Sequence, residues 1–376
     1  MKAKSIKGKL PEEIQSALQQ SMADGFKPTL AFVFLSVNQD REGICKVLND
    51  EEISIYGSTT NGEFIDGDFE NGSIAILLLD INPALFLIQF AELNGTDDRS
   101  TAAQLATHAL KTFNNPSFFI TACNLQTDIE EIIAGFIDVA GTDMNAFGGM
   151  AGDDMTFTTQ YVFTGKQSSN RAVITLVLNQ DKIIMKGTAI HGWKAVGTEK
   201  TITKSSGNQI YTIENIPALD ICLKYSGLKA DSPNLITELS LNCPLQLQRP
   251  YGDPLMRPAF TIDWSDHSLF TSGKIPEGAK ICFSLPPDFD MIEKVVAQNK
   301  KIKETEMPDA DAMIMYNCGG RLLCFGPLIG EEIKGMKEIW DVPMAGMFSS
   351  AEIGRTAGGN LEMHNLTTCT VVLKEK

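Results

Sequence analysis

The feature that most constrains this chain is a unit of helix, strand, helix, strand and polar loop that occurs three times. In each unit, a stretch with apolar residues on one helical face precedes a short apolar run typical of a buried strand, and this pair then repeats. Two units lie in residues 1–191, and the third lies in residues 288–376. In the first two units, the apolar runs that follow the loop are typical of β-hairpins. The repeat predicts a mixed α/β fold with mixed sheets.

Residues 192–286 follow a different pattern and separate the second unit from the third. This stretch is rich in proline, glycine and β-forming residues. Strand-like runs at residues 201–203 and 209–213 flank a Ser-Gly-Asn turn, which predicts a β-hairpin. We therefore predict a β-rich segment inserted between the second and third units. The predicted domains are residues 1–215 and residues 216–376.

Length, charge and cysteine usage limit the class of protein. At 376 residues, the chain is too long for one ordinary hydrophobic core. Its formal net charge of −15 disfavours binding to nucleic acid and to anionic membrane surfaces. The sequence has no window of about twenty apolar residues and no apolar run after its first charged residues, so we expect neither membrane insertion nor a signal peptide. Eight scattered cysteines without a Cys-x-x-Cys pair indicate free thiols and a cytoplasmic protein.

Three loops share one composition, in which glycines or hydroxyl side chains precede a carboxylate. They are the first loop, residues 57–63, the second loop, residues 148–154, and the third loop, residues 346–352. Glycine lets backbone N–H groups approach a bound group, and hydroxyls and carboxylates can hold it. One such loop alone is more simply a turn, but the recurrence predicts that the three loops line one cleft. The candidate ligand-binding residues in the loops are Ser58, Thr59, Thr60, Glu63, Gly149, Asp153, Asp154, Ser349, Ser350 and Glu352.

Arg321 is a further candidate ligand-binding residue, because it follows a strand end and two glycines near the start of a helix. Its guanidinium could bind a ligand carboxylate through two hydrogen bonds, although a surface or ion-paired arginine fits the pattern equally well. Glu63 or Glu352 could hold an ammonium group. The predicted ligand therefore carries a carboxylate or is zwitterionic, as an amino acid is.

The sequence offers little for catalysis or for metal binding. Its four histidines, His108, His191, His267 and His364, show no metal-binding spacing. No Gly-x-Ser-x-Gly element and no phosphate-binding loop occurs, although distant residues can still meet in space. We therefore expect a protein that is not an enzyme and binds no metal. One histidine suffices as an axial haem ligand, so haem remains the alternative cofactor.

Five motifs in order resemble the FIST family of bacterial and archaeal sensory proteins, over nearly the whole chain. They are the first loop, the second loop, residues 191–220, the third loop and residues 361–367. Ser58 stands where many members carry cysteine, and Ala351 stands where glycine is common. Two glycines precede Arg321 where many members have a bulkier residue.

The resemblance implies a sensory domain that binds a small ligand, such as an amino acid, without catalysis. The sequence ends at Lys376 without an output segment, so we expect it to signal through a separate protein such as a histidine kinase, a cyclase or a chemoreceptor. Some members resemble haem-binding nitric-oxide sensors. The alternative is therefore a haem-dependent gas sensor that regulates a histidine kinase or a cyclic-di-nucleotide enzyme.

Overall fold

The computed structural model describes residues 1–93, 97–123 and 127–376. The first unit contains β1 (Lys2–Gly8), α1 (Pro11–Met22), β2 (Leu30–Ser36), α2 (Arg41–Asp50), β3 (Ser54–Thr60), β4 (Glu63–Ile65), β5 (Asp68–Glu70), β6 (Ile74–Asp80) and β7 (Phe86–Glu92). The second unit contains α3 (Asp98–Thr112), β8 (Pro116–Ala122), α4 (Ile129–Ala140), β9 (Asn145–Met150), β10 (Val162–Phe163), β11 (Ser168–Ser169), β12 (Ala172–Asn179) and β13 (Ile183–Ile190).

The middle segment and the third unit follow. The middle segment contains β14 (Ala195–Ser206), β15 (Gln209–Ile213), β16 (Ile216–Pro217), α5 (Ala218–Ser226), α6 (Leu235–Asn242), β17 (Leu245–Leu247), β18 (Leu255–Arg257), β19 (Ala259–Asp263), β20 (Ser268–Thr271) and β21 (Lys280–Ser284). The third unit contains α7 (Asp290–Thr305), β22 (Ala312–Cys318), α8 (Gly319–Phe325), α9 (Ile329–Trp340), β23 (Met344–Ser349), β24 (Glu352–Gly354), β25 (Glu362–His364) and β26 (Thr368–Glu375). Among the described helices, none is long and apolar enough to cross a membrane.

Within the described residues, the strands form four sheets, and three of these have six strands in the same plan. Each of the three contains a parallel pair from one unit, with two antiparallel strands beyond one edge and two short strands beyond the other. Their strand orders are β1-β6-β2-β3-β10-β11, β7-β12-β8-β9-β24-β25 and β13-β26-β22-β23-β4-β5. The fourth sheet, β18-β17-β21-β14-β15-β20-β19, belongs to the middle segment. The predicted α/β class, with repeated units and an inserted β-rich segment, is confirmed.

Each unit places its two short strands in the sheet of another unit. In the third sheet, β4 of the first unit pairs with β23, and β5 lies beyond it. In the first sheet, β10 of the second unit pairs with β3, and β11 lies beyond it. In the second sheet, β24 of the third unit pairs with β9, and β25 lies beyond it. The exchange therefore runs through the three units as a closed ring. It also crosses the boundary predicted between residues 215 and 216, so the two halves of the chain share sheets.

The hairpins predicted at the ends of the units are wrong. In the first unit, β6 pairs with β1 and β2, whereas β7 pairs with β12. In the second unit, β10 pairs with β3 and β11, whereas β12 pairs with β7 and β8. Periodicity in a sequence identifies a strand but not its partner, because the partner depends on long-range packing. The hairpin predicted in the middle segment is confirmed, because β14 pairs with β15.

Side chains from the three six-stranded sheets meet in one shared core. Phe32 and Tyr56 come from the first sheet, Phe119 from the second and Tyr316 from the third. The ring centroids of Phe32 and Phe119 lie 5.0 Å apart in an edge-to-face arrangement. Because helices cover the outer faces, β2 and β8 are buried along their whole length, which explains their continuous apolar sequence.

Candidate functional site

The three loops follow the ends of β3, β9 and β23, and backbone hydrogen bonds join them in a closed ring. The ring is built from equivalent positions, since each loop donates one N–H to the carbonyl of another loop. The bonds are Asn61 to Phe348 (2.9 Å), Ser350 to Met150 (3.2 Å) and Gly152 to Thr59 (2.9 Å). The fold therefore brings the three loops together at one place.

A second set of equivalent hydrogen bonds shows where the ring departs from threefold regularity. In two loops, the residue two positions before the donor of the first set donates its N–H to another loop: Phe348 donates to the carbonyl of Gly62 (2.8 Å), and Met150 donates to the carbonyl of Ala351 (2.7 Å). The third bond differs, because the N–H of Thr59 donates to the carbonyl of Tyr161 (2.9 Å) instead of to the second loop. In the regular pattern, Thr59 would donate to residue 153, but it donates to Tyr161. Residues 153–160 therefore lie outside the ring, and we call them the 153–160 segment.

The 153–160 segment has a strained backbone that neighbouring polar groups hold in place. Asp154, Met155 and Phe157 have φ angles of 56°, 62° and 54°, in the left-handed region that costs non-glycine residues on the order of 1–3 kcal/mol each. The Asp153 carboxylate accepts three backbone N–H groups that stabilise this turn. They belong to Phe157 (3.1 Å), Thr158 (2.6 Å) and Thr159 (3.0 Å).

Asn61 joins the 153–160 segment to the loop ring. Its Oδ1 accepts the N–H groups of Asp153 (3.0 Å) and Met155 (3.1 Å). Its Nδ2 donates to Ser350 Oγ in the third loop (3.2 Å), and that hydroxyl donates to the carbonyl of Ala151 in the second loop (2.8 Å). One buried side chain therefore contacts all three loops.

A cavity of about 440 Å³ lies between the loop ring, the 153–160 segment and the β-rich middle segment. It has the size and the largely apolar lining of a small-ligand site between packed structural units. Its lining residues are Asn61, Met155, Phe157, Asn208, Ser240, Leu241, Pro258, Ala259, Phe260, Thr271, Ser272, Cys318, Gly320, Leu323, Ser350, Ala351, Asn365 and Leu366.

The polar groups of this cavity are uncharged, and two of them have no partner. Asn365 is only 3% exposed, yet its Oδ1 accepts no hydrogen bond from any described residue. The Ser272 hydroxyl is likewise unpaired within the described chain. A buried polar atom without a partner costs about 1–3 kcal/mol, so each of these atoms favours a bound group that supplies one.

Of the residues selected from the sequence, Ser350 lines the cavity. The other ten, within the part of the chain that the structure describes, do not line it: Ser58, Thr59, Thr60, Glu63, Gly149, Asp153, Asp154, Arg321, Ser349 and Glu352. The carboxyl groups of Glu63, Asp153 and Glu352, which we predicted to lie within one pocket or on adjoining walls, are buried and hydrogen-bonded within the protein. The loops meet, but only the first and third of them line the cavity, and most of the polar side chains in the loops hold the loops together.

Glu63 and Glu352 occupy equivalent positions and join their loops to the residues that immediately precede β6 and β26. In each case, hydroxyl and backbone N–H groups donate to the buried carboxyl group. The donors are Thr60 and Ser73 (2.9 Å from N, 3.0 Å from Oγ) for Glu63, and Ser349 (2.7 Å) and Thr367 (2.7 Å from Oγ1, 3.3 Å from N) for Glu352. Asp154, the equivalent residue of the second loop, instead accepts from Ser36 and Asn38.

These two buried carboxyl groups predict a pH-dependent stability. Burial raises the pKa of Glu63 to about 7 and that of Glu352 to about 8. The folded protein therefore binds these protons more tightly than the unfolded chain, whose carboxyls have pKa values of about 4.3. This contribution is fully present below about pH 4 and is lost as the pH rises through about 7 and 8, at up to about 1.4 kcal/mol per pH unit for each group. When the free energy of unfolding is measured by urea titration at a series of pH values, it should depend less steeply on pH in Glu63→Gln and in Glu352→Gln than in the wild type. An unchanged pH dependence in both variants would contradict the assignment.

Arg321 is fully buried, and its guanidinium is engaged within the protein. It forms an ion pair with Glu332, which is also fully buried. Its Nη1 donates to the carbonyls of His191 (2.7 Å) and Leu366 (3.3 Å). Leu366 lines the cavity, but Arg321 does not. The structure therefore favours the ion-paired alternative and does not support the predicted contact with a ligand carboxylate.

Sequence reasoning missed most of the groups that shape the cavity. Asn61 and Asn365 lie in motifs that the sequence displays, but nothing in a single sequence separates them from ordinary turn residues. Phe157 and Phe260 are 53% and 60% exposed, and their ring centroids lie 6.2 Å apart. Exposure of an aromatic residue depends on the folded surface, so no sequence pattern identifies it. Within the described residues, no group of three or more His, Cys, Asp or Glu side chains is placed to hold a metal ion.

Comparison with protein families identifies the family of this chain. The profile of the FIST N domain matches residues 29–216, and that of the FIST C domain matches residues 218–355. The chain therefore belongs to the FIST family. FIST domains are sensory domains of signal transduction that bind small ligands.

Other comparisons add little. No curated protein matches the sequence. Among solved structures, the chain is similar to a crystal structure of a chorismatase at 8% sequence identity, with 99% of this chain and 98% of the other covered and a TM-score of 0.34. A similarity this low supports no inference about activity.

Proposed function

We propose that this protein is a non-catalytic cytoplasmic sensor that binds a small ligand in the cavity beside the loop ring and signals through a separate partner protein. A histidine kinase, a cyclase or a chemoreceptor is the kind of partner that fits the family. The observation that carries the proposal is the position of the cavity. It opens where the ring of loops loses its regularity and where a strained segment forms one wall.

The 153–160 segment offers a route from a bound ligand to the protein surface. Met155 and Phe157 line the cavity, whereas Thr156, Thr158 and Thr159 line a surface groove together with residues 37–42. We propose that a ligand that displaces Met155 and Phe157 also displaces Thr156 between them, which lines the groove. The groove also carries charged side chains, so we propose that a partner reads the state of the cavity there.

The lining of the cavity supports binding without catalysis. Cys318 presents a thiol there, but burial raises the pKa of that thiol far above its usual range. The described lining contains no histidine, lysine or carboxylate that could activate this thiol or a serine hydroxyl. The eight cysteines, which all lie in described residues, are free thiols, in keeping with a cytoplasmic location.

The cavity does not fit a haem held by histidine. His191 and His364 are buried and form hydrogen bonds with the backbone N–H of Trp193 (2.9 Å) and the carbonyl of Gly354 (3.1 Å). His267 pairs with Asp220 (2.7 Å), and His108 contacts Gln89 (3.0 Å). None of the four histidines lines the cavity. We therefore propose a sensor without a cofactor.

Removing the aromatic wall should weaken ligand binding. We expect the double variant Phe157→Ala with Phe260→Ala to lose at least tenfold in affinity, because two exposed rings that a ligand would cover are removed. Isothermal titration calorimetry against amino acids, organic acids, amides and nucleobases measures this. Tyr251→Ala is the matched control, since Tyr251 is an exposed aromatic residue outside the cavity. Equal affinity in the double variant would refute the cavity as the site, and a Soret band after addition of haem would favour the gas-sensor alternative.

A further inference from the structure

We infer that the ligand of this cavity is uncharged and consists of a small aromatic or heteroaromatic ring that carries an amide-like edge. This inference rests on the proposed function, since it names the chemical class that the proposed site binds. It differs from the carboxylate or zwitterion that the sequence alone suggests. Three properties of the lining carry it: its charge, its unpaired polar atoms and its apolar surface.

The first property is the absence of charge. Among the described residues that line the cavity, there is no lysine, arginine, histidine, aspartate or glutamate. The two cations adjacent in sequence to lining residues, Arg257 and Arg321, are buried and already paired with Glu130 and Glu332. A ligand carboxylate or ammonium would lose its hydration without gaining an ion pair, which is strongly unfavourable. The formal net charge of −15 adds repulsion against anions.

The second property is the distribution of hydrogen-bonding capacity. Several polar groups of the lining are already engaged, because Ser350 Oγ and Thr271 Oγ1 donate to backbone carbonyls and Asn61 Oδ1 accepts two N–H groups. Asn365 Oδ1 and Ser272 Oγ are not engaged by any described residue. We infer that the ligand supplies an N–H or O–H donor to Asn365 and a second polar atom to Ser272, since both residues line the cavity. A carboxamide edge offers both.

The third property is the apolar remainder of the wall. Phe157 and Phe260 stand edge to face at the cavity, and Met155, Leu323 and Leu366 complete an apolar surface. A flat ring can contact aromatic faces and the adaptable thioether of methionine at once. The combination of a ring-sized apolar surface with two unpaired polar atoms selects a neutral ring compound over an aliphatic amino acid.

Matched pairs of compounds that differ only in charge test this inference. We would titrate benzamide against benzoate, and nicotinamide against nicotinate, with phenylalanine as the zwitterion, and measure binding by calorimetry and by saturation-transfer NMR. We expect each amide to bind at least tenfold more tightly than its carboxylate. Asn365→Ala should weaken amide binding about tenfold. Asn234→Ala should not, because Asn234 is exposed and its side chain makes no capping bond.

A variant that is expected to gain affinity separates an effect on binding from a loss of folding. Leu323 is exposed at the cavity, so Leu323→Lys places a cation at the lining without removing a buried side chain. Benzoate should then bind at least tenfold more tightly than it does to the wild type, whereas benzamide should be little affected.

The possible results distinguish an error in the proposed class of ligand from an error in the proposed site. If the carboxylates bind the wild type as tightly as the amides, and the Phe157→Ala, Phe260→Ala variant loses both, the site stands and the inference of an uncharged ligand is wrong. If the amides bind that aromatic double variant as tightly as the wild type, the proposed site fails. If neither member of either pair binds at millimolar concentration, the inference of a neutral ring compound is overturned.

Discussion

Arg321→Ala is expected to lower the free energy of unfolding by about 3–5 kcal/mol, because it leaves an unpaired carboxylate in the interior. Arg321 and Glu332 are both fully buried, and they join α8 to α9. Glu332 also accepts hydrogen bonds from Asn317 Nδ2 (2.9 Å) in β22 and from the Thr368 hydroxyl in β26. The pair therefore ties two helices to two neighbouring strands beside the cavity. Urea unfolding followed by circular dichroism measures the loss.

Two further variants test whether the loss of stability comes from an unpaired buried charge. Lys337→Ala removes an ion pair with Asp341, which is 86% exposed, and should change the stability by less than about 1 kcal/mol. The double replacement Arg321→Met with Glu332→Leu should recover much of the loss, since it removes both charges together. A loss below about 1 kcal/mol for Arg321→Ala would show that the pair does not stabilise the fold.

Gly148→Ala is expected to destabilise the protein by about 3 kcal/mol, at the upper end of the usual cost of overpacking. A Cβ at this position would overlap the backbone carbonyl oxygen of Ile120 in β8, so two paired strands must shift. Gly57 and Gly346 are the equivalent positions of β3 and β23, where a Cβ would overlap the rings of Phe163 and Phe64. Each unit therefore has a glycine at the same position, where a side chain would collide with a neighbouring strand.

Gly330→Ala is the matched control for this substitution. Gly330 lies in α9, and a Cβ there would meet the Phe69 ring at an ordinary contact distance of 3.6 Å. Because alanine favours helix by up to about 1 kcal/mol over glycine, this variant should be neutral or slightly stabilised. Thermal unfolding of both variants gives the comparison. A Gly148→Ala protein within about 1 kcal/mol of the wild type would mean that the strands adjust without cost.

Local periodicity was sufficient to predict the units and the β-rich segment, because helices and buried strands leave a pattern within a few residues. It could not predict that β6 and β7 diverge into different sheets, since strand pairing is decided by contacts far apart in sequence. The shared composition of the loops predicted that all three line one cleft. The loops do meet, but the cavity is lined by the first and third loops, through Asn61, Ser350 and Ala351, and not by residues 148–154. The conformation of the 153–160 segment could not be predicted, because it depends on backbone N–H groups that donate to the side chains of Asp153 and Asn61.

The candidate site was predicted less well than the fold, for a physical reason. Carboxylates and arginine were selected because such groups commonly bind ligands, yet Glu63, Glu352 and Arg321 satisfy polar groups inside the protein. A sequence does not show whether a charged side chain faces a ligand or an internal partner. Conversely, Asn365 matters because its Oδ1 is left without a partner, and this follows only from three-dimensional structure.

The exchange of short strands among the units has a consequence for how the chain reaches its folded state. Ile65 in β4 pairs with Ala345 in β23. During synthesis, β4 therefore has no partner strand until residues near 345 have been made. The outer edges of β3 and β9 are likewise covered only by strands of a later unit. Pairings this distant slow folding and leave strand edges open to other chains in the meantime. We therefore expect late and cooperative acquisition of structure, with a growing chain that depends on protection of its edges until the last unit has left the ribosome.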